Sequence, residues 1–127
     1  MNPDTPLSRQ LDLRQRTRAF ALETVRMCGV IPPTLVGRHI ASQLIRCSTS
    51  VAANYRAACR AKSRRDFISK IGIVLEESDE SLFWLDFAKA LDLLSGEKVQ
   101  PVLTEADELV AIFTATRSTA RKNIRKD

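Results

Sequence analysis

The chain has 127 residues, 44% of them hydrophobic, with only four Gly and five Pro and a formal net charge of +5. That length is one domain, residues 1–127, with enough chain for a real core. Few breakers and long stretches rich in Ala, Leu, Arg and Glu favour an all-α fold. No run approaches the roughly 20 apolar residues needed to span a bilayer, and the polar, proline-broken MNPDTPLSRQ does not read as a signal peptide.

The net charge hides a segregation. Residues 1–65 carry 12 Lys/Arg against 3 Asp/Glu, residues 66–116 carry 3 against 11, and residues 117–127 carry 5 against 1. One reading is that these faces meet through ion pairs within or between subunits. The other is that surplus basic surface meets nucleic acid, where neutralised phosphates release counterions.

In chain order, the periodicity predicts four helices, at about 6–28, 35–61, 64–94 and 101–122. The first opens on Thr5-Pro6, a cap followed by a proline whose missing N–H costs nothing in the first turn. Its stripe is Leu13, Thr17, Phe20, Thr24 and Met27. Gly29 and Pro32-Pro33 end it. The second places Ile40, Leu44, Cys47, Val51, Asn54 and Ala58 on one stripe amid many alanines. Small residues admit a close neighbour, so this helix is expected to be the most enclosed.

Ser63 with Asp66 three positions on is a near capping box that starts the third helix. That helix carries two stripes, Phe67, Ile71, Val74, Ser78, Leu82, Leu85 and, offset in angle, Ile73, Trp84, Phe87, Leu91, Leu94. One face suffices for a four-helix core. The other, with Trp84, Phe87, Leu91 and Leu94, is expected at a subunit boundary. Leu94-Ser95-Gly96 is read as a glycine stop. The fourth helix starts near Pro101, runs along Val102, Ala106, Leu109, Phe113, Thr116 and Ala120, and frays into a basic tail, with 123–127 expected to be disordered. Short loops enforce an antiparallel up-down-up-down four-helix bundle.

The hairpin carries a resemblance. RCSTSVAA (46–53) and NYRAACRAKSRRDF (54–67) resemble the four-helix bundle proteins of the 23S rRNA intervening-sequence family. Those show an arginine, a serine, an Asn-Ile-Ala-Glu-Gly-like run, then a basic-Ser-basic-basic-acidic-Phe turn. The match covers Arg46, Ser50, Asn54, Ser63, Asp66, Phe67 and Glu80, and the helix layout extends it over most of the chain. Ala57-Ala58 stands where the family often has Glu-Gly. The resemblance implies a cytosolic homopentamer. Related accessory proteins of diversity-generating retroelements bind nucleic acid and a reverse transcriptase.

Chemistry is scarce. His39, the single histidine, has no acid three or four positions away, and no Glu-x-x-His motif occurs. Glu76, Glu77, Asp79 and Glu80 point around most of a turn, so at most two share a face. No nucleophile–histidine–acid set is apparent, and no Gly-rich phosphate loop appears. Cys28, Cys47 and Cys59 are odd in number and lack metal spacing; they read as buried reduced thiols, which points to the cytoplasm. The expectation is a non-enzyme without cofactor or metal.

Two classes remain. A nucleic-acid-associated adaptor is favoured by Arg56, Arg60, Lys62, Arg64 and Arg65 with Arg121, Lys122 and Arg125 in the tail. Stacking aromatics are not interleaved with these, so backbone contact with RNA or DNA without sequence preference is the expected mode. The alternative is a protein-binding scaffold. Arg46 and Glu80 each lie 17 residues from Ser63 and are expected to face each other as a partly buried pair.

Overall fold

A computed structural model describes residues 5–126, with side chains from 5 to 124. Four helices follow in order: α1 (Pro6–Cys28), α2 (Leu35–Ala58), α3 (Arg64–Ala90) and α4 (Gly96–Lys126). The described residues form an all-α bundle. α1 packs on α2, α2 on α3 and α3 on α4, while α1 meets α4 only sparsely. No helix among them is long and apolar enough to cross a membrane.

Hydroxyl caps start the first three helices. Thr5, Thr34 and Ser63 accept from the N–H groups of Ser8, Gly37 and Asp66, relieving donors that have no partner within the helix. Pro6 takes the first position of α1. The N–H groups of Lys98 and Val99 donate to the Ser95 carbonyl, so α4 begins five residues before Pro101. A proline in the second turn costs one backbone hydrogen bond there and does not stop the helix.

Several helix ends depart from expectation. Gly29 keeps a right-handed φ of −65°, and α1 closes through tight-turn bonds from Gly29, Val30 and Ile31 to the Arg26, Met27 and Cys28 carbonyls. α2 stops at Ala58, three residues short of the expected 61. α3 stops at Ala90 rather than 94, and the residue that turns the chain is Asp92, at φ 57°, not Gly96. The Asp92 N–H donates to the Lys89 carbonyl and the Leu93 N–H to the Ala88 carbonyl, the paired bonds of a Schellman ending. α4 continues past 122 to Lys126, so the segment expected as a disordered tail is helical through that residue.

The core holds Ile40, Leu44, Val51 and Tyr55 of α2, Ile71, Val74 and Leu85 of α3, Val99, Leu109 and Phe113 of α4, with Phe20 and Met27 from α1. Fully burying side chains of this size is worth about 1.5–3 kcal/mol each. Tyr55 and Phe113 meet across the bundle, their ring centroids 5.4 Å apart. Thr17, Thr24 and Ser78 are buried among these apolar groups and donate to the carbonyls of Leu13, Phe20 and Val74 on their own helices. That satisfies the hydroxyl without a partner helix and keeps the side chain small, so neighbouring backbones approach. The Ser48 hydroxyl is buried with no hydrogen-bond partner among the described residues.

Two backbone positions are open to test. A Cβ on Gly37 would lie 2.0 Å from the Pro32 carbonyl oxygen, backbone that cannot move aside cheaply. Gly37→Ala should therefore lower the denaturation midpoint, by about 1–3 kcal/mol of stability for an overpacked contact, whereas an alanine elsewhere in an open helix raises it. Conversely Asp92 holds a left-handed φ that glycine adopts freely. Asp92→Gly should raise stability by up to about 1 kcal/mol, read as a shift in urea midpoint at unchanged slope.

Candidate nucleic-acid interface

The α2–α3 turn places most of the expected basic residues at one end of the bundle, beside the last turns of α4. The Ser63 hydroxyl accepts from the Asp66 N–H at 3.0 Å, and the Asp66 carboxylate reaches back to the Lys62 N–H, also at 3.0 Å, one residue beyond the reciprocal bond of an ordinary capping box. Lys70 Nζ holds the other carboxylate oxygen at 2.5 Å. These two bonds, the Lys70 one foremost, keep the Asp66 carboxyl below the usual carboxylate range. Arg64 crosses to α4 and donates to the Asn123 carbonyl at 3.3 Å.

The expected cations divide among several faces. Arg60 and Lys62 border a shallow groove with Arg56, where Asp66 and Lys70 also sit. Arg65 and Arg121 line a groove of about 470 Å³ between α3 and α4. Lys122 borders a neighbouring depression with Arg121. The side chain of Arg125 lies outside the described residues.

Arg117, which the sequence placed only among the cations at the end of the fourth helix, joins the basic set here. Its guanidinium lies against Gly72, 3.7–3.8 Å from where a Cβ on that glycine would stand, and its Nε is buried without a hydrogen-bond partner. It borders both the Arg65–Arg121 groove and the Lys122 depression. Among the described residues no carboxylate lies within ion-pairing distance of Arg65, Arg117, Arg121 or Lys122, although Glu76 stands on the groove wall. A glycine facing an arginine one helix away was the available signal, but it requires knowing the α3–α4 register.

The family-motif residues make contacts within the bundle. Arg46 bridges α2 to α3, donating to Glu77 at 3.1 Å and also to Glu80, with Gln43 at 3.0 Å on its own helix. The Arg46–Glu80 pairing is at the expected level, but its expected burial is not: the Arg46 side chain is 48% exposed, and Glu77, at 19%, is the more enclosed partner. Burial pushes the Glu77 carboxyl up, against the opposing pull of Arg46. A pair this open belongs to the range of about 1 kcal/mol or less for surface ion pairs, not to that of buried ones. The Asn54 side-chain amide donates to the Ser50 carbonyl and hydroxyl, both at 2.9 Å. Phe67 packs half-buried against the core.

The expected subunit face is altered. Phe87 and Leu91 are 42% and 46% exposed, but Leu94 is 3% exposed, because α3 ends at Ala90 and the turn swings Leu94 inward. Trp84 is half-buried, its ring edge-on to His39 at 5.5 Å. Phe83, 54% exposed and absent from both expected stripes, stacks on Phe87 at 5.7 Å.

Of the thiols, Cys47 is buried while Cys28 and Cys59 are half-buried, and all three are free. Burial pushes Cys28 up to about 11 and raises Cys47 as well, so both stay protonated at neutral pH and lack the thiolate that nucleophilic chemistry needs.

These helices, their capped α2–α3 turn and the Arg46 bridge define a small four-helix bundle with a cationic end. The family model for the 23S rRNA-intervening sequence protein matches residues 9–115, and the chain belongs to that family. It is similar to the crystal structure of a protein of unknown function from the S23 ribosomal protein family of Bacteroides thetaiotaomicron, at 25% identity and TM-score 0.76, covering 83% of this chain and 97% of that one. No curated protein matches the chain.

The turn generates a test. Ser63→Ala should cost roughly 1 kcal/mol, the usual effect of losing an N-cap. Because the Asp66 carboxyl is held low in the fold, its contribution is present above the unfolded pKa, about 3.9, and is lost as pH falls through the folded value. Asp66→Asn should therefore narrow the gap in melting temperature between about pH 6 and pH 3 relative to the parent. An unchanged gap would assign the acid sensitivity elsewhere.

Proposed function

We propose that this chain is a non-enzymatic, cytoplasmic, self-assembling bundle that binds nucleic-acid phosphate backbone without reading sequence. The observation that carries the reading is the α3–α4 groove, where Arg65, Arg117 and Arg121 converge from two helices with no ion-paired carboxylate among the described residues. Guanidinium groups suit phosphate because their planar donors match its oxygens in pairs. Arg60 and Lys62 lie around the same end, so a track longer than one phosphate is available. The family's name and its S23 ribosomal relative are in keeping with an RNA context.

The single Tyr is buried in the core, the exposed Phe83 and Phe87 sit among acids on α3, and Phe67, beside Lys62 and Arg64, is half-buried against the core. That favours backbone contact over base readout. Self-assembly rests on the exposed Phe83, Phe87 and Leu91 patch; the five-subunit state rests on the family resemblance alone. The second reading, a protein-binding scaffold without a nucleic-acid role, draws on that same patch.

Anisotropy titration with random-sequence RNA and DNA between about 50 and 200 mM salt decides between them. The expected result is an affinity that falls steeply with salt, by about 0.7–0.9 in logarithmic slope for each phosphate engaged. The triple variant Arg65→Gln, Arg117→Gln, Arg121→Gln should bind more weakly on every sequence, with a slope reduced by about 2–3 units. Absence of parent binding at about 50 mM salt would favour the scaffold. A triple variant that binds like the parent would move the site away from α3–α4.

A further inference from the structure

The cationic groove between α3 and α4 is open to like cations at one end and closed by acid at the other. Gly72 of α3 and Arg117 of α4 stand level, and nearer the bundle end Arg64 bonds the Asn123 carbonyl. Arg65 precedes Gly72 by seven positions and Glu76 follows it by four, so the groove runs about 10 Å outward to an arginine and about 6 Å inward to a carboxylate. Glu76 is exposed on the groove wall, and Glu77, Asp79 and Glu80 follow it along α3. Outward, the cations continue around the turn. Lys62 and Arg64 line a hollow with Asn123, and Lys62 also borders the groove of Arg56 and Arg60, where the Asp66 carboxylate is held by Lys70. A polyanion following these cations inward meets like charge at Glu76.

A blind cationic groove suits the end of a strand better than its middle. An internal phosphodiester carries one charge and two free oxygens. A terminal phosphomonoester carries about two charges at neutral pH and offers three acceptor oxygens. Arg117 is placed to hold it: its guanidinium is braced against Gly72, and its Nε is buried without a partner among the described residues, so the donor is fixed before anything binds. The exposed Arg65 and Arg121 enter the same groove from opposite helices. Ile68, Ile73 and Ile124 form an apolar flank for the last sugar and base. At about 470 Å³ the groove has the size of a small-molecule site, enough for one nucleotide and not for a run of them.

We infer that the α3–α4 groove is a strand-end site: it holds the terminal phosphate of an RNA or DNA strand whose backbone follows Lys62, Arg60 and Arg56 across the bundle end. Arg117 is the fixed donor, Arg65 and Arg121 close on the remaining oxygens, and Glu76 stops the chain. The inference deepens the backbone-binding reading above and rests on it.

End chemistry tests it. One single-stranded oligonucleotide pool of random sequence is made with a 5′ phosphate, with a 3′ phosphate, or with hydroxyls at both ends, and each form is titrated at low salt. A phosphorylated form should bind on the order of tenfold more tightly than the hydroxyl form, the worth of one added charge-assisted contact. Arg117→Gln should erase that preference and still bind the hydroxyl form through the outer cations. Arg121→Gln, at an exposed position, serves in its place if circular dichroism shows that the first variant has unfolded. A nucleoside monophosphate or inorganic phosphate should displace the phosphorylated strand only in large excess, because neither engages the outer track. Displacement by an equal concentration of either would assign the groove to a free anion and overturn the strand-end site. Equal affinity for all three forms, or a preference that the folded variant keeps, overturns it too while leaving backbone binding standing. Absence of binding by every form overturns both.

Discussion

The register between α2 and α3 is the constraint on which the other features depend. Ser63 caps α3 while Asp66 holds the preceding N–H, so the turn has little freedom. Counting outward from that turn brings Arg46 level with Glu77 and Glu80, whose carboxylates it bridges. Between turn and bridge, Cys47, Val51 and Ala58 of α2 pack with Ile71 and Val74 of α3 into a core without solvent. The ion pairs contribute little energy, since Arg46 is half exposed. Their value is directional: a shift of one turn would part both carboxylates from the guanidinium they share. α4 then inherits its level from α3 through the Asp92 turn, which is what sets Arg117 opposite Gly72.

Charge in this molecule is divided by task. Part of the basic first half does meet the acidic second half within one chain. Arg16 of α1 binds Glu105 at 2.6 Å and Glu108 at 3.0 Å, tying down the sparse α1–α4 seam, and Arg46 serves α2–α3 in the same way. Two further groups of cations stand apart from these bridges. One, with Arg65, Arg117 and Arg121, sits over polar and apolar helix surface at the bundle end. The other, Arg14, Arg18 and Arg56, borders an aliphatic groove. A groove with an apolar floor gains by excluding water, which favours a protein surface; a groove of mixed lining into which three arginines converge suits a phosphate. The same residue type therefore supports two different contacts according to what lies beneath it.

Much of the fold was legible in the sequence because it depends on local chemistry. Periodic apolar positions, hydroxyl caps at Thr5 and Ser63, and Pro32-Pro33 in the first loop each act over one or two turns of chain. They determine four helices, an antiparallel order and the α2–α3 turn. The level of Arg46 with Glu77 and Glu80 was also within reach, since it needs only a count from a tight turn. The family motif lies wholly within this local grammar, which is why a short run around the hairpin suffices to suggest the family.

What only the tertiary structure decided is where the surfaces are. Asp92, not a glycine, turned the chain at the end of α3, because a backbone ending with two satisfied carbonyls offsets a strained φ on a residue that tolerates it. That early stop buried Leu94, which helical periodicity extended to 94 had placed on the outer stripe, while Phe83, on neither expected stripe, stands exposed beside Phe87. Arg117 looked like one more cation at a helix C-terminus until α4 lay against Gly72. The groove of Arg14 and Arg18 depends on the short side chains of Ala52 and Ala53, which lie on the next helix. Sequence by itself determines which residues share a helix face; which faces then meet, and which stay open to solvent, is settled by packing between helices distant in the chain.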